Sequence, residues 1–139
     1  MERKVFTVPQ ANLVLPRLSQ LLGKLQERHK WLQANRQAVP YLIESRQIVN
    51  EGPVRPDYVH ALLGFRATLR EVEKIGAQVK DISTGLVDFP SRLYGRDVLL
   101  CWRMGEDRVA YWHDPEAGFA GRQPLPPVEG DSDGDKEGN

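Results

Sequence analysis

The chain has 139 residues, of which 40% are apolar and 27% are charged, values that fit one globular domain. Its formal net charge is zero, but residues 129–139 carry five acidic side chains and one lysine, which leaves −4 there and +4 on the rest. A body charge this small argues against a nucleic-acid partner. We expect a single α+β domain over residues 1–127 and a disordered acidic tail over residues 128–139.

Cys101 is the only cysteine, so no disulfide can form within the chain, which is typical of a reducing compartment. Residues 1–7 show neither the apolar segment nor the small-residue cleavage site of a secretory signal. No stretch approaches the roughly 18 consecutive apolar residues of a membrane span. The sequence therefore predicts a cytoplasmic protein without a membrane partner.

The first predicted helix begins with a capping signal. Thr7 precedes Gln10 by the capping-box spacing, and Pro9 stands in the first turn, where its missing N–H costs nothing. An apolar stripe follows at spacings of three and four, formed by Leu15, Leu18, Leu22, Leu25 and Leu32, with His29 at the intervening step. Pro16 inside this run predicts either a kink or the true start of the helix, and Pro40 predicts its interruption.

A second helix is predicted from Pro56, with Asp57 in its first turn, to Gly76, a residue that suits the left-handed position after a helix. Its predicted apolar face consists of Val59, Leu62, Leu63, Leu69, Val72 and Ile75. Two helices with complementary apolar stripes bury both by folding back on each other. We therefore expect an antiparallel long-helix hairpin over about residues 7–76.

The pattern changes to that of strands after the second helix. The predicted segments are residues 77–82, 85–90, 98–104 and 108–113. The second segment is a short strand or loop that ends at Pro90, and the third is the clearest strand. The predicted fold is therefore α+β, with the helical hairpin packed on a small C-terminal antiparallel sheet over about residues 77–125.

Two registers are open for the hairpin that joins the last two strands. A two-residue type II′ turn at Gly105-Glu106 puts Cys101 and His113 on opposite faces of the sheet. A three-residue loop pairs Cys101 with Tyr111 and puts His113 on the same face as Cys101. The second register also gathers on one face Val98, Leu100, Trp102, Met104, Ala110 and Trp112. Turn chemistry favours the first register and face segregation the second.

A block of residues in the second half carries a resemblance to a known family. The block consists of Val79-Lys80-Asp81, Gly85-Leu86-Val87-Asp88-Phe89-Pro90, Leu100-Cys101-Trp102-Arg103, Gly105-Glu106, Trp112-His113 and Gly118-Phe119-Ala120-Gly121-Arg122. It resembles the signature of a prokaryotic domain-of-unknown-function family, number 2203, and the N-terminus is similar over Phe6-Thr7, Ala11-Asn12 and Leu15-Pro16-Arg17-Leu18. The resemblance implies a long-helix N-terminal half and a small β-rich C-terminal half, and it implies no reaction.

One candidate constellation is a metal site. Thiolate, imidazole and carboxylate are ligands of zinc or iron, and a thiol with an imidazole also forms a nucleophile pair. The candidate ligands of a divalent transition metal are Cys101, His113, Asp114 and Glu116. Strong Cys/His ligand spacings are absent from the sequence, so a protein without a cofactor is favoured, with a buried structural cysteine and a histidine at a strand end.

A second constellation surrounds the same sheet. The candidate ligand-binding residues are Asp88, Arg92, Glu106, His113, Asp114 and Arg122. In loops beside a Trp-bearing sheet they would form a rim for an anionic or sugar-like ligand, with Arg122 as the donor fork. Structural ion pairs among these side chains are the commoner explanation and are favoured.

The helices carry the leading functional hypothesis. The leucine stripe favours the core of an intramolecular hairpin over a coiled-coil seam, because His29 and Pro40 interrupt its heptads. Off the stripe lie Leu13, Val14 and Leu21, which leave an apolar edge for a homodimer. The leading hypothesis is a non-enzymatic protein-interaction module that binds a protein partner or a second copy through the hairpin. The alternative is a small hydrolase-like enzyme that depends on a metal or an anionic ligand.

Overall fold

The computed structural model describes residues 4–35 and 55–126. The predicted helix interruption at Pro40 and the acidic tail over residues 128–139 lie outside these ranges. The elements, in chain order, are α1 (Val8–Ala34), α2 (Pro56–Ile75), β1 (Gln78–Asp81), β2 (Leu86–Leu93), β3 (Arg96–Arg103), β4 (Tyr111–His113), a 3₁₀ turn (Phe119–Gly121) and β5 (Gln123–Pro124). The strands form an antiparallel sheet in the order β1-β2-β3-β4-β5, so each strand pairs with its neighbour in sequence.

The capping box at the start of α1 is confirmed. The Thr7 N–H donates to Gln10 Oε1 over 2.9 Å, and the Gln10 N–H donates to Thr7 Oγ1 over 3.1 Å. These two bonds satisfy orphan donors of the first turn and fix where the helix begins. Pro16 lies inside a continuous α1, so it does not mark the start of the helix.

The buried face of α1 is wider than the predicted stripe. The predicted leucines Leu15, Leu18, Leu22, Leu25 and Leu32 are all buried. Leu21 is also buried, with 1% of its surface exposed, so its assignment to a free dimerisation edge was wrong. The core cluster joins α1 to Val72 of α2 and to residues of β2, β3 and β4. Because α1 packs against both α2 and the sheet, it buries a wider face than one narrow stripe. Leu13 is 79% exposed, as an off-stripe residue should be.

The hairpin of α1 and α2 is antiparallel, as predicted. Arg17 in the first half of α1 pairs with Glu71 in the last turns of α2 over 2.8 Å. At the opposite end, the rings of Trp31 and Tyr58 lie 6.1 Å apart. The helix α2 ends at Gly76 in the left-handed conformation (φ 107°), which confirms the predicted stop signal.

In the first half of α2, the apolar residues that the sequence predicts to pack against α1 are largely exposed. Val59, Leu62 and Leu63 are 39%, 41% and 55% exposed, so their assignment to the buried face was wrong. At this level α1 offers polar and aromatic side chains, and His29 contacts Phe65 with ring centroids 6.2 Å apart. The second half of the prediction is correct, because Val72 is buried and Leu69 and Ile75 pack against the core.

The sheet contains a proline that does not end a strand. Pro90 was expected to terminate β2, but β2 continues to Leu93 and Pro90 pairs with Leu99. The Pro90 carbonyl accepts from the Phe6 N–H over 2.8 Å, so the backbone of residue 90 points away from β3. The missing N–H therefore removes no bond between β2 and β3.

The β3–β4 pairing decides between the two registers. Cys101 pairs with Tyr111 and Leu99 with His113, which is the three-residue-loop register, and the type II′ alternative is wrong. The strand β4 begins at Tyr111, later than predicted, because the Val109 N–H donates instead to Asn12 Oδ1 of α1 over 2.8 Å. On the face toward the helices, the buried residues of the last strands are Val98, Leu100, Trp102 and Trp112. The opposite face carries Cys101 and His113.

Candidate functional site

The sheet face that points away from the helices gathers three polar side chains from three neighbouring strands. Asp88 on β2 pairs with Cys101 on β3, and Cys101 pairs with Tyr111 on β4. His113, two residues after Tyr111, lies on the same face and is the diagonal neighbour of Cys101. The register alone therefore brings together a carboxylate, a thiol and an imidazole, which we call the sheet cluster (Asp88, Cys101 and His113).

The sheet cluster is closed to solvent. Asp88 and His113 are each 2% exposed and Cys101 is fully buried. One potential ligand atom from each residue lies within 4.8 Å of the other two. Buried titratable groups this close together must share protons, ions or hydrogen bonds, because each isolated charge would be costly.

The hydrogen bonds of His113 place a condition on its protonation. Nδ1 lies 2.8 Å from the Asp114 carbonyl, which can only accept, so Nδ1 carries a hydrogen. Nε2 lies 3.1 Å from Asp88 Oδ2. In the neutral imidazole Nε2 then presents a lone pair to a carboxylate oxygen, which is repulsive. A proton or another cation must lie between these two atoms.

The other members of the sheet cluster are incompletely satisfied. Asp88 Oδ1 is buried and has no hydrogen-bond partner among the residues that the structure describes. Burial raises the pKa of the Cys101 thiol; the Arg122 guanidinium opposes this shift and the Asp88 carboxylate adds to it. Cys101 is therefore a neutral thiol unless a cation compensates its charge.

A second polar group, the ion pair of Glu106 and Arg122, lies beside the sheet cluster. Arg122 donates to Glu106 Oε2 over 2.8 Å and to Oε1 over 3.1 Å, and also to the Cys101 carbonyl over 3.3 Å. Its guanidinium carbon lies 4.0 Å from the ring centroid of Tyr111 and 4.6 Å from that of Phe119, within cation–π distance of both. Burial pushes the Glu106 pKa upward, but hydrogen bonds from Arg122 and the Arg103 N–H outweigh it and hold the pKa below its ordinary value.

The remaining residues of the two predicted constellations lie elsewhere. Arg92 forms an exposed pair with Asp97 over 3.3 Å, and the Asp114 carboxylate pairs with Arg96 over 3.2 Å. Glu116 is exposed. The structure thus groups Cys101 and His113 with Asp88, which the sequence assigned to the ligand-binding set, and places neither Asp114 nor Glu116 in the sheet cluster.

Sequence reasoning also missed the part played by Tyr111. Tyr111 is the residue directly opposite Cys101 and lies within cation–π distance of Arg122. The three-residue-loop register already pairs Tyr111 with Cys101. Applying the same strand pairing to the neighbouring strand β2 would have placed Asp88 opposite Cys101 as well. A cavity of about 340 Å³ lies away from the cluster, lined in part by His29, Leu69 and β1.

Residues 4–125 match the model of a family described as an uncharacterized conserved protein (DUF2203). The chain belongs to this family. The family resemblance noted in the sequence is thereby confirmed, and the DUF2203 match includes every residue of the sheet cluster and the Glu106–Arg122 pair. No curated protein and no solved structure matches the chain. The family description names no reaction, so membership assigns no activity to this DUF2203 chain.

Within the described ranges, no helix of this DUF2203 chain has the length and apolar character needed to cross a membrane.

Proposed function

We propose that the chain is a metal-binding protein that holds one divalent transition metal ion between Asp88, Cys101 and His113. The carrying observation is the 3.1 Å approach of His113 Nε2 to Asp88 Oδ2 while Nδ1 is committed to a backbone carbonyl. Metal-binding histidines are oriented in this way, with the second ring nitrogen donating to a carbonyl or carboxylate. The metal ion supplies the positive charge that the two facing acceptors require.

The ligand types and the charges favour zinc or a metal of similar preference. Thiolate, imidazole and carboxylate are all ligands of zinc, at about 2.0–2.3 Å. A tetrahedral site with such bonds separates its ligand atoms by roughly 3.3–3.8 Å. The cluster's ligand atoms already lie within 4.8 Å of one another, so the longest separation needs a contraction of roughly 1.0–1.5 Å to complete the site. Two anions, Asp88 and Cys101, neutralise a dication in a region without solvent.

Metal retention is favoured over hydrolysis by the burial of the site. A catalytic zinc site keeps one position open for water or substrate, whereas a structural site is closed by the protein. The unpartnered Asp88 Oδ1 is available as a further ligand, so the protein can supply the fourth ligand atom from within the buried cluster. A reduced thiol ligand also suits the cytoplasmic compartment that the sequence predicts.

The test compares the wild type with Asp88→Asn. An asparagine amide can donate to His113 Nε2, so this variant keeps the hydrogen bond while removing a charged ligand. Protein purified without a metal-affinity column is analysed for bound metals by elemental analysis. Chelator-treated protein is then titrated with zinc in competition with a chromophoric chelator. We expect about one equivalent of zinc per wild-type chain and an affinity at least tenfold weaker for Asp88→Asn.

His60→Gln, on the exposed surface of α2, serves as the matched control and should bind as the wild type does. Cobalt(II) substitution adds an independent readout, since a thiolate-to-cobalt absorption band must vanish in Cys101→Ser. Absence of zinc from the purified wild type, together with no binding by the chelator-treated protein, would refute the proposal.

A second candidate function is self-association through α2, favoured by the exposure of Val59, Leu62 and Leu63, which we call the α2 row. Residues at i, i+3 and i+4 share one helix face, and these three are 39–55% exposed on a face that α1 does not cover. A second copy presenting the same row would bury both in a two-fold, coiled-coil-like contact. This is the homodimeric form of the interaction module that the sequence favours.

Light scattering across a concentration series tests the second candidate. We expect a dimer for the wild type and a monomer for Leu63→Glu, since a charge within the row would be desolvated in the dimer contact. Leu13→Glu introduces the same change at an exposed leucine of α1 and should leave the dimer intact. A wild type that stays monomeric throughout the series excludes self-association.

A further inference from the structure

One continuous segment packs beside Cys101 on the sheet face that points away from the helices. Residues 114–125, which we call the strap, leave β4 after His113 and return to pair with it at β5. In between, Phe119 lies under the Arg103 guanidinium, and Arg122 lies over Tyr111 and donates to the Cys101 carbonyl. These contacts place the strap against the Cys101 part of the sheet cluster.

The strap itself is weakly anchored. None of its residues is buried, and Phe119 is 39% exposed. Leu125 at its end packs against the core, and Asp114 at its start forms a partly exposed ion pair with Arg96. Its pairing with β4 involves only Tyr111 with Pro124 and Trp112 with Gln123 among the described residues, supplemented by the Leu125 N–H to the Ala110 carbonyl. Segments with few buried apolar contacts are those that open locally without global unfolding.

The Arg122 side chain is the strongest attachment of the strap. It makes two charge-assisted bonds to Glu106, lies within cation–π distance of two aromatic rings and is only 14% exposed. Its Nε is nevertheless buried and has no partner within the described part of the chain. The closed position of the strap thus leaves one hydrogen-bond donor unsatisfied. This reduces the free-energy difference between the closed position and an open one in which water reaches that donor.

The Glu106 side chain is fixed to the end of β3. Its Oε1 accepts from the Arg103 N–H over 2.9 Å, and its backbone carbonyl accepts from Trp102 Nε1 over 3.0 Å. Trp102 is a buried core residue, so Glu106 cannot move with the strap. Opening therefore requires Arg122 to leave Glu106.

We propose that the Glu106–Arg122 pair is a latch, and that its release opens the strap and controls the access of metal ions and solutes to Cys101, Asp88 and His113. The metal part of this inference rests on the proposed function. The access part does not, because it rests on the burial of Cys101 alone. The latch sets the rate of exchange at the site, while the ligands set the affinity.

The experiment measures access to Cys101 in two ways. Chelator-treated protein is alkylated with iodoacetamide, and zinc-loaded protein is mixed with an excess of a chromophoric chelator. Glu106→Gln removes the charge from the latch and should raise both the alkylation rate and the zinc release rate by roughly tenfold or more. The zinc stoichiometry should stay unchanged, since no ligand is altered.

Two further variants make the result specific. Arg122→Lys keeps the positive charge but lacks the planar fork and the stacking, so it should also accelerate both rates. Glu71→Gln makes the same change in the exposed Arg17–Glu71 pair and should leave both rates within twofold of the wild type. Hydrogen exchange at the Leu22 amide, in the core of α1, should be the same in all variants if opening is local.

The outcomes separate the two proposals. Zinc that binds normally but leaves Glu106→Gln at the rate of the wild type overturns the latch and leaves the metal site standing. If no variant binds zinc, faster alkylation of Glu106→Gln and Arg122→Lys still supports the latch. Alkylation that rises only in parallel with exchange at Leu22 reflects global unfolding and overturns the latch.

Discussion

His113 Nε2 lies 3.1 Å from Asp88 Oδ2 in a region where neither side chain exposes more than 3% of its surface. The opposite ring nitrogen of His113 is committed to the Asp114 carbonyl, so the histidine stands between two acceptors. Because acceptors flank the ring on both sides, a cation is required between His113 and Asp88: either a proton on Nε2 or a metal ion bound by both residues. The first prediction follows from this requirement.

In chelator-treated protein, Asp88→Asn should change the free energy of unfolding by less than about 1 kcal/mol, because the amide donates to His113 Nε2. His113→Ala should destabilise by about 3–5 kcal/mol, since it leaves a buried Asp88 carboxylate without its partner. Urea unfolding with excess chelator measures both values. Equal losses in the two variants would show that, once the metal is removed, an imidazolium–carboxylate pair holds the cluster together.

The core of α1 gives a second prediction. Leu22 is fully buried among the helices and the sheet, so Leu22→Ala should lower the free energy of unfolding by about 2–5 kcal/mol. Leu13 is 79% exposed on the same helix, and Leu13→Ala should stay within about 0.5 kcal/mol of the wild type. Urea denaturation checks the pair, and comparable losses at the two positions would contradict the observed orientation of α1.

Gly85 separates β1 from β2 and supports a third prediction. Its φ is 71°, and a Cβ at this position would lie 2.6 Å from Met104 Cβ. Gly95 has a similar φ of 76° and open space around it. Gly95→Ala should cost about 1–2 kcal/mol from the backbone alone, and Gly85→Ala should cost about 1–3 kcal/mol more. Thermal unfolding measures both, and equal losses would mean that Met104 moves aside freely.

The latch predicts a dependence of stability on pH. Hydrogen bonds hold the folded-state pKa of Glu106 below its ordinary value of 4.5, although burial works against them. A lowered folded pKa means that the carboxylate stabilises the fold fully above pH 4.5 and loses this contribution as the pH falls through the folded value. Glu106→Gln should therefore be less stable than the wild type at pH 7, and the difference should shrink toward pH 3.

Urea midpoints at pH 7 and at acid pH measure that convergence. Glu71→Gln, in the exposed pair with Arg17, should lie within about 1 kcal/mol of the wild type at pH 7. A Glu106→Gln deficit that persists undiminished at acid pH would show that the ion pair is not its cause.

Local signals in the sequence located the helix boundaries well. The capping box of Thr7 and Gln10 and the left-handed Gly76 both act through backbone groups within a few residues, so neighbouring sequence suffices to define them. Faces were harder to predict. Leu21 is buried and Leu63 is exposed, against expectation, because what each residue meets depends on the element packed beside it.

The candidate site shows the same division. The amino-acid sequence by itself determined that an α+β chain would place Cys101 and His113 on adjacent strands, since alternation and turn residues are local properties. Only the tertiary structure decided that the two share a face and that Asp88 joins them. A shift of one residue in register reverses every side chain of a strand, and the choice depends on long-range packing of Trp102 and Trp112 against the helices.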